Sequence, residues 1–108
     1  MLVDCGAINE CLAYAAGLPQ YRPVMAGKPD PLLLRRILQQ HRLGTEEVLV
    51  VGDDWETDVL MAQREEVWSA LVLTGTTTRA QAEACPAPPE LMVADLKELG
   101  RWLARSRK

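Results

Sequence analysis

The chain is 108 residues long, 25% charged and 48% apolar, and its 15 acidic residues against 12 lysines and arginines leave a net charge of -3. One compact domain with a buried core fits that length and a second does not, while the mild acidity offers no broad basic surface to nucleic acid. Met1 to Gly6 carries no basic leader and no stretch nears the roughly 18 uninterrupted apolar residues of a spanning helix, so the expectation is a cytoplasmic chain with no membrane partner.

Ala7 to Ala16 reads as a short helix, with Ile8, Cys11, Leu12 and Ala15 on one face and Gly17 as its cap. Pro19 and Pro23 bracket an irregular stretch that leads into a short strand near Val24 and Met25. Asp30 as N-cap with Pro31 at the first helical position opens a second helix, whose stripe of Leu33, Leu34, Ile37 and Leu38 runs until Gly44 ends it. Val48 to Val51 is an unbroken apolar run, the pattern of a parallel strand covered on both faces. Helix resumes over Asp58 to Glu65, with Val59, Leu60 and Ala62 as its buried side, and Ala70 to Leu73 forms a second buried strand. Thr74 to Thr78 is a turn that caps a short helix over Arg79 to Ala84, after which Pro86, Pro88 and Pro89 make a stiff connector. A last strand falls at Leu91 to Val93, and Asp95 caps a terminal helix bearing Leu96, Leu99, Trp102 and Leu103.

This alternation predicts an α/β fold, a partial Rossmann-like parallel sheet with flanking helices, whose ligands sit at the carboxyl ends of the strands. Lys28, the run Gly52-Asp53-Asp54 and Thr74-Gly75 all belong to that edge. Strand-end carboxylates met by one lysine suit a divalent cation together with a phosphoryl group. Asp53, just past its strand, is placed to ligate Mg²⁺ directly. Asp58, inside the first turn of the next helix, is placed to act through a water or to orient the lysine. Asp54 shares a face with Asp58 only if that helix starts early. A plainer reading also stands, in which these acids cap and charge a helix N-terminus, and it accounts for one or two of them. Lys28, fixed between Gly27 and Pro29 in a turn, can neutralise charge between a phosphoryl group and an attacking carboxylate.

Three segments carry a family resemblance. Val24 to Pro31, Val50 to Leu60 and Leu71 to Thr78 resemble the third motif, the fourth motif and the following turn of the haloacid dehalogenase (HAD) superfamily of phosphatases. The match is closest to the subgroup of sugar-phosphate, nucleotide-phosphate and pyridoxal-phosphate phosphatases whose cap is inserted between the second and third motifs. The resemblance implies Mg²⁺-dependent hydrolysis of a small phosphorylated metabolite through an aspartyl-phosphate intermediate. It assigns Asp53 as the metal ligand, with Asp58 and Asp54 also in the metal site, and Lys28 and Asp58 as catalytic residues, the lysine neutralising charge and Asp58 as supporting acid. It also implies that residues 1–20 are the end of a cap domain and residues 21–108 the C-terminal half of a HAD-type core.

The sequence departs from that family in two places. The first motif, with its nucleophilic Asp and the acid/base Asp two residues later, has no counterpart, nor has the second-motif Ser or Thr; Asp4 lacks the following Asp-Gly. Glu65-Glu66 stands where the family places Ala-Gly, and Glu66 at a left-handed helix exit costs on the order of 1 kcal/mol. The expectation is therefore half of an active site, with Val48 to Val51 left as an apolar edge that seeks the missing N-terminal half or a second copy of the chain. The alternative is a non-catalytic or assembly module that keeps a Mg²⁺ or phosphate pocket. A receiver-like phospho-acceptor domain ranks third, because the strand over Leu71 to Leu73 ends in Thr74 and not in an Asp.

The remaining signals are weak. Cys5, Cys11 and Cys85 are odd in number and lack C-x-x-C spacing, so they read as reduced, partly buried thiols. His41 and Arg42 suit a helix C-terminus, and Arg35-Arg36 continues a polar face that needs no partner. Trp55 either lines a substrate mouth or wedges against a neighbouring helix.

Overall fold

A computed structural model describes residues 5–107. Three parallel strands, β1 (Leu49–Gly52), β2 (Trp68–Val72) and β3 (Leu91–Val93), form one sheet in the order β1-β2-β3. Val51 lies opposite Ala70 and Gly52 opposite Leu71, while Leu71 lies opposite Met92, so the carboxyl ends are level across the sheet. The helices are α1 (Cys5–Ala15), α2 (Leu32–His41), α3 (Leu60–Arg64), α4 (Arg79–Ala84) and α5 (Leu96–Ser106). Every expected strand and helix from residue 30 onward is present, and the fold is the expected α/β sheet with flanking helices.

Alternation along the strands sorts the core onto two faces. On one face Val48 and Val50 pack with Leu34 and Leu38 of α2 and Met61 and Ala62 of α3, and Leu71 closes with Val59 and with Ala82 of α4. On the other, Leu49, Ala70, Val72, Leu91 and Val93 pack against Leu99 of α5. The central strand is the buried one, with Ala70 and Leu71 both at 0% exposure. Strand β1 packs on both faces as expected, Val50 on one and Leu49 on the other, but it pairs only with β2, and Val51 is 41% exposed. The expected open apolar edge is therefore at β1.

Local chemistry explains most helix ends. Thr78 caps α4 by accepting from the Gln81 N–H while the Gln81 side chain accepts from the Thr78 N–H, and Asp95 caps α5 by accepting from the Glu98 N–H. Asp30 Oδ1 accepts from the Leu32 N–H at 2.9 Å, so it serves the start of α2 as expected, with Pro31 rather than Asp30 in the flanking position. The end of α2 differs from expectation. Arg42 takes the left-handed conformation, at φ 55°, two residues before Gly44. Glu66 does the same after α3, at φ 55°, as expected for the residue standing where glycine is usual.

The first part of the chain corrects two expectations. No strand forms at Val24 and Met25: Val24 is 90% exposed, and without a neighbouring strand its backbone gains nothing over water by extending. In α1 the stripe of Ile8 and Leu12 exists but lies uncovered, at 52% and 62% exposure, and Ala13 is the buried residue. Cys5 and Cys11 are accordingly exposed, not partly buried, and Cys85 is half-buried; all three are free thiols. Asp4 lies outside the described residues.

Candidate functional site

The carboxyl edge of the sheet holds two acids by different means. Asp53 follows β1 directly, and its Oδ2 accepts from the Thr76 backbone N–H at 3.0 Å and from the Thr76 hydroxyl at 3.3 Å. The Asp53 carbonyl accepts from the Thr77 N–H at 2.9 Å, and the Thr77 hydroxyl accepts from the Trp55 N–H at 2.9 Å. The loop after β1 and the loop after β2 are thereby stitched together. Their contact is close enough that a Cβ on Gly75 would strike the Asp53 carboxylate. Among the described residues, no hydrogen bond from another residue reaches Asp53 Oδ1.

Asp58 is buried at 7% exposure, and it is the acid that meets the lysine. Lys28 Nζ donates to Asp58 Oδ1 at 2.6 Å, and the Asp54 N–H donates to Asp58 Oδ2 at 3.3 Å. A Cβ on Gly52 would occupy the space of the Asp58 side chain, so this glycine makes room for the acid six positions after it. The helix does start early. Residues Trp55–Val59 form a wide π-helical turn capped by Asp54, whose Oδ1 accepts from the Glu56 N–H at 3.0 Å. The capping reading therefore holds for Asp54, while Asp53 and Asp58 have other partners.

Charge couples the site. The Lys28 ammonium is held above its ordinary range, first by its hydrogen bond to Asp58, with the charges of Asp58, Asp53 and Asp54 adding against partial burial. The Asp53 carboxyl is held below its ordinary range, chiefly by the Thr76 backbone N–H, with the Thr76 hydroxyl and the Lys28 charge adding. Lys28 and Asp53 thus feel each other, although the lysine bonds Asp58. Lys28 sits in the turn closed by the Asp30 N–H on the Gly27 carbonyl at 3.0 Å. The turn was expected; the strand leading into it is absent.

No group of three His, Cys, Asp or Glu side chains gathers into a metal cage among the described residues. Mg²⁺ does not require one, since one or two carboxylates with waters and phosphate oxygens satisfy its octahedron. The free oxygen of Asp53 fits that donor set. Asp58 has both oxygens hydrogen-bonded, to Lys28 and to the Asp54 N–H, and Asp54 uses Oδ1 for the helix cap.

A cleft of about 320 Å³ adjoins the Asp53 loop, lined by Asp54, Trp55, Glu56, Thr76, Thr77, Gln81 and Cys85. Trp55 forms part of this lining, and it packs with Val59, Leu71 and Ala82 while its Nε1–H donates to the Ala87 carbonyl at 2.9 Å. Sequence reasoning missed two features. Arg35 lies on the polar face of its helix as expected, and its pairing was not foreseen: its Nε and Nη2 donate to both oxygens of Glu65 at 3.0 and 2.9 Å. Arg64 was not singled out, and its Nη1 donates to the Pro29 carbonyl at 3.1 Å. Neither pairing had a local signal, because the partners are 30 and 35 positions apart.

A family model described as HAD-hydrolase-like matches residues 25–99. The chain is similar to an acid sugar phosphatase of Staphylococcus saprophyticus, 31% identical over 100 residues that cover 93% of this chain and 38% of the relative. It is also similar to the ribonucleotide monophosphatase NagD of Escherichia coli K12, 28% identical over 87% of this chain and 39% of the relative. Among solved structures, a 4-nitrophenylphosphatase from Thermotoga maritima superposes with a TM-score of 0.81 at 32% identity, over 93% of this chain and 38% of that one. The chain spans less than two fifths of the length of these curated relatives. Among the described residues, no helix is long and apolar enough to cross a membrane.

Proposed function

The chain belongs to the HAD-hydrolase-like family, and from that membership we propose that it supplies the metal-binding acid and the phosphate-neutralising lysine of a Mg²⁺-dependent phosphomonoester hydrolase. The observation that carries this reading is the meeting of Lys28 Nζ with Asp58 at 2.6 Å beside the strand exit of Asp53. In this reading Asp53 would hold Mg²⁺, which would supply positive charge to a phosphoryl group. Asp58 aims the lysine and would support the metal site. Lys28, with its charge kept firmly on, offsets the negative charge that builds as a carboxylate approaches a phosphate. Asp54 supports both by capping the π-helical turn.

The 108 residues contain no Asp-x-Asp pair, so the attacking carboxylate and its acid/base partner come from outside them. The β1 edge, with Val51 exposed, supports a neighbouring strand there, from a longer chain, a complementary chain or a second copy. Residues 1–20 fit the end of a cap domain, since α1 joins none of the packed core clusters, and residues 21–108 fit the core. Free thiols suit a cytoplasmic setting. The substrate in this reading is a small phosphorylated metabolite.

The test is to incubate the chain with Mg²⁺ and 4-nitrophenyl phosphate, alone and mixed with a polypeptide carrying an Asp-x-Asp-Gly half. Turnover in the mixture, abolished by Asp53→Ala and lowered at least tenfold by Lys28→Met, is expected. Turnover by the chain alone overturns the half-site reading. Cation binding without turnover in any mixture favours the non-catalytic module.

A further inference from the structure

Lys28 reaches its acid from a segment with little else to hold it. Val24 and Met25 are exposed, no strand forms there, and the backbone of residues 27–30 is closed only by its own turn. A lysine side chain with four rotatable bonds on an unanchored loop would sample many positions, and the loop would contribute its own freedom. Among the described residues, one hydrogen bond ties the backbone of residues 23–30 to another element: Arg64 Nη1 on the Pro29 carbonyl, at 3.1 Å. Pro29 is the residue after Lys28, so this bond acts one peptide away from the lysine.

A second contact braces the same junction. Arg35, one turn into α2, forks both oxygens of Glu65, the residue after Arg64. The bidentate form fixes direction as well as distance. The end of α3 therefore grips the loop with Arg64 and the first turn of α2 with Glu65. That same π-turn and α3 segment contains Asp58, the lysine's acceptor. Both ends of the Lys28–Asp58 bond are thus referred to one rigid element.

We propose that Arg64 is a positioning residue for Lys28, holding the Gly27–Asp30 turn at the end of α3 so that the ammonium reaches Asp58 and the phosphate site beside Asp53. This rests on the hydrolase reading for its purpose, but its geometry is tested without turnover. Arg64 is exposed and forms no ion pair with an acid among the described residues, so in this proposal it contributes order to the turn.

The experiment is a proton–nitrogen spectrum of the lysine amino groups in the ¹⁵N-labelled chain, with the Lys28 signal identified by its loss in Lys28→Arg. A hydrogen-bonded, ordered ammonium gives a sharp, slowly exchanging signal. In Arg64→Met, which keeps the apolar stem and removes the donor, the Lys28 signal is expected to broaden beyond detection while the backbone signals of β1, β2 and β3 stay in place. Arg64→Lys, which restores a donor, is expected to recover it. An unchanged Lys28 signal in Arg64→Met overturns the proposal. So does collapse of the whole spectrum in that variant, which would make Arg64 a residue of the fold itself. Failure of the hydrolase reading shows separately, as absence of turnover in the mixing assay with the Lys28 signal intact.

Discussion

Between β1 and β3 the apolar residues close over one another, with Val59, Leu71 and Ala82 at 1%, 0% and 0% exposure, whereas in α1 and the loop after it Leu12 is 62% and Val24 90% exposed. The two regions carry comparable apolar side chains. They differ in what stands opposite. Each strand from β1 to β3 has a ladder partner and a helix across from it, so burial there removes apolar area from water on both partners. The stripe on α1 faces no counterpart in the packed clusters, and a helix of 11 residues gains little by itself. An apolar pattern specifies a face, and a second face decides whether it becomes core.

Substitution sharpens this contrast most at the center. Leu71→Ala, at the middle of the sheet, is expected to cost on the order of 2–5 kcal/mol by urea unfolding. The same truncation at Leu12 of α1 should stay within about 0.5 kcal/mol. Equal losses at the two sites would break the comparison. Glycines offer the next test. Gly75→Ala forces a methyl against the Asp53 carboxylate and is expected to cost about 1–3 kcal/mol, while Gly27→Ala, with open space around it, should be nearly neutral in the same assay. The smallest effect runs in the other direction. Glu66→Gly relieves a left-handed side-chain residue at φ 55° and should raise stability by about 1 kcal/mol, read from the urea midpoint.

Legibility followed the same division. Elements fixed by neighbours in sequence could be read: the Thr78 and Asp95 caps, the strands at Leu91–Val93 and within Ala70–Leu73, and the strained exit at Glu66. In the site, the proximity of Lys28 to the acids was readable from the order and spacing of the motifs, although the strand expected to deliver Lys28 to the rim is absent. The lysine's direct partner was less so. Both Asp53 and Asp58 were candidates, and the structure pairs Nζ with Asp58, which lies in the π-helical turn, while Asp53 is held by Thr76. Arg35–Glu65 and Arg64–Pro29 were illegible because long side chains choose partners across the fold. The strand expected at Val24 failed for the complementary reason, since local propensity cannot supply the missing neighbour.

The most direct measurement of the central claim uses Mn²⁺ as a paramagnetic substitute for Mg²⁺ and follows the backbone amide signals of the labelled chain. The account predicts selective broadening at Gly52, Asp53, Gly75 and Thr76, reversed by excess Mg²⁺ and absent in Asp53→Asn. Broadening centred on another acidic patch such as Glu46 and Glu47, or none at the carboxyl edge of the sheet, would contradict it.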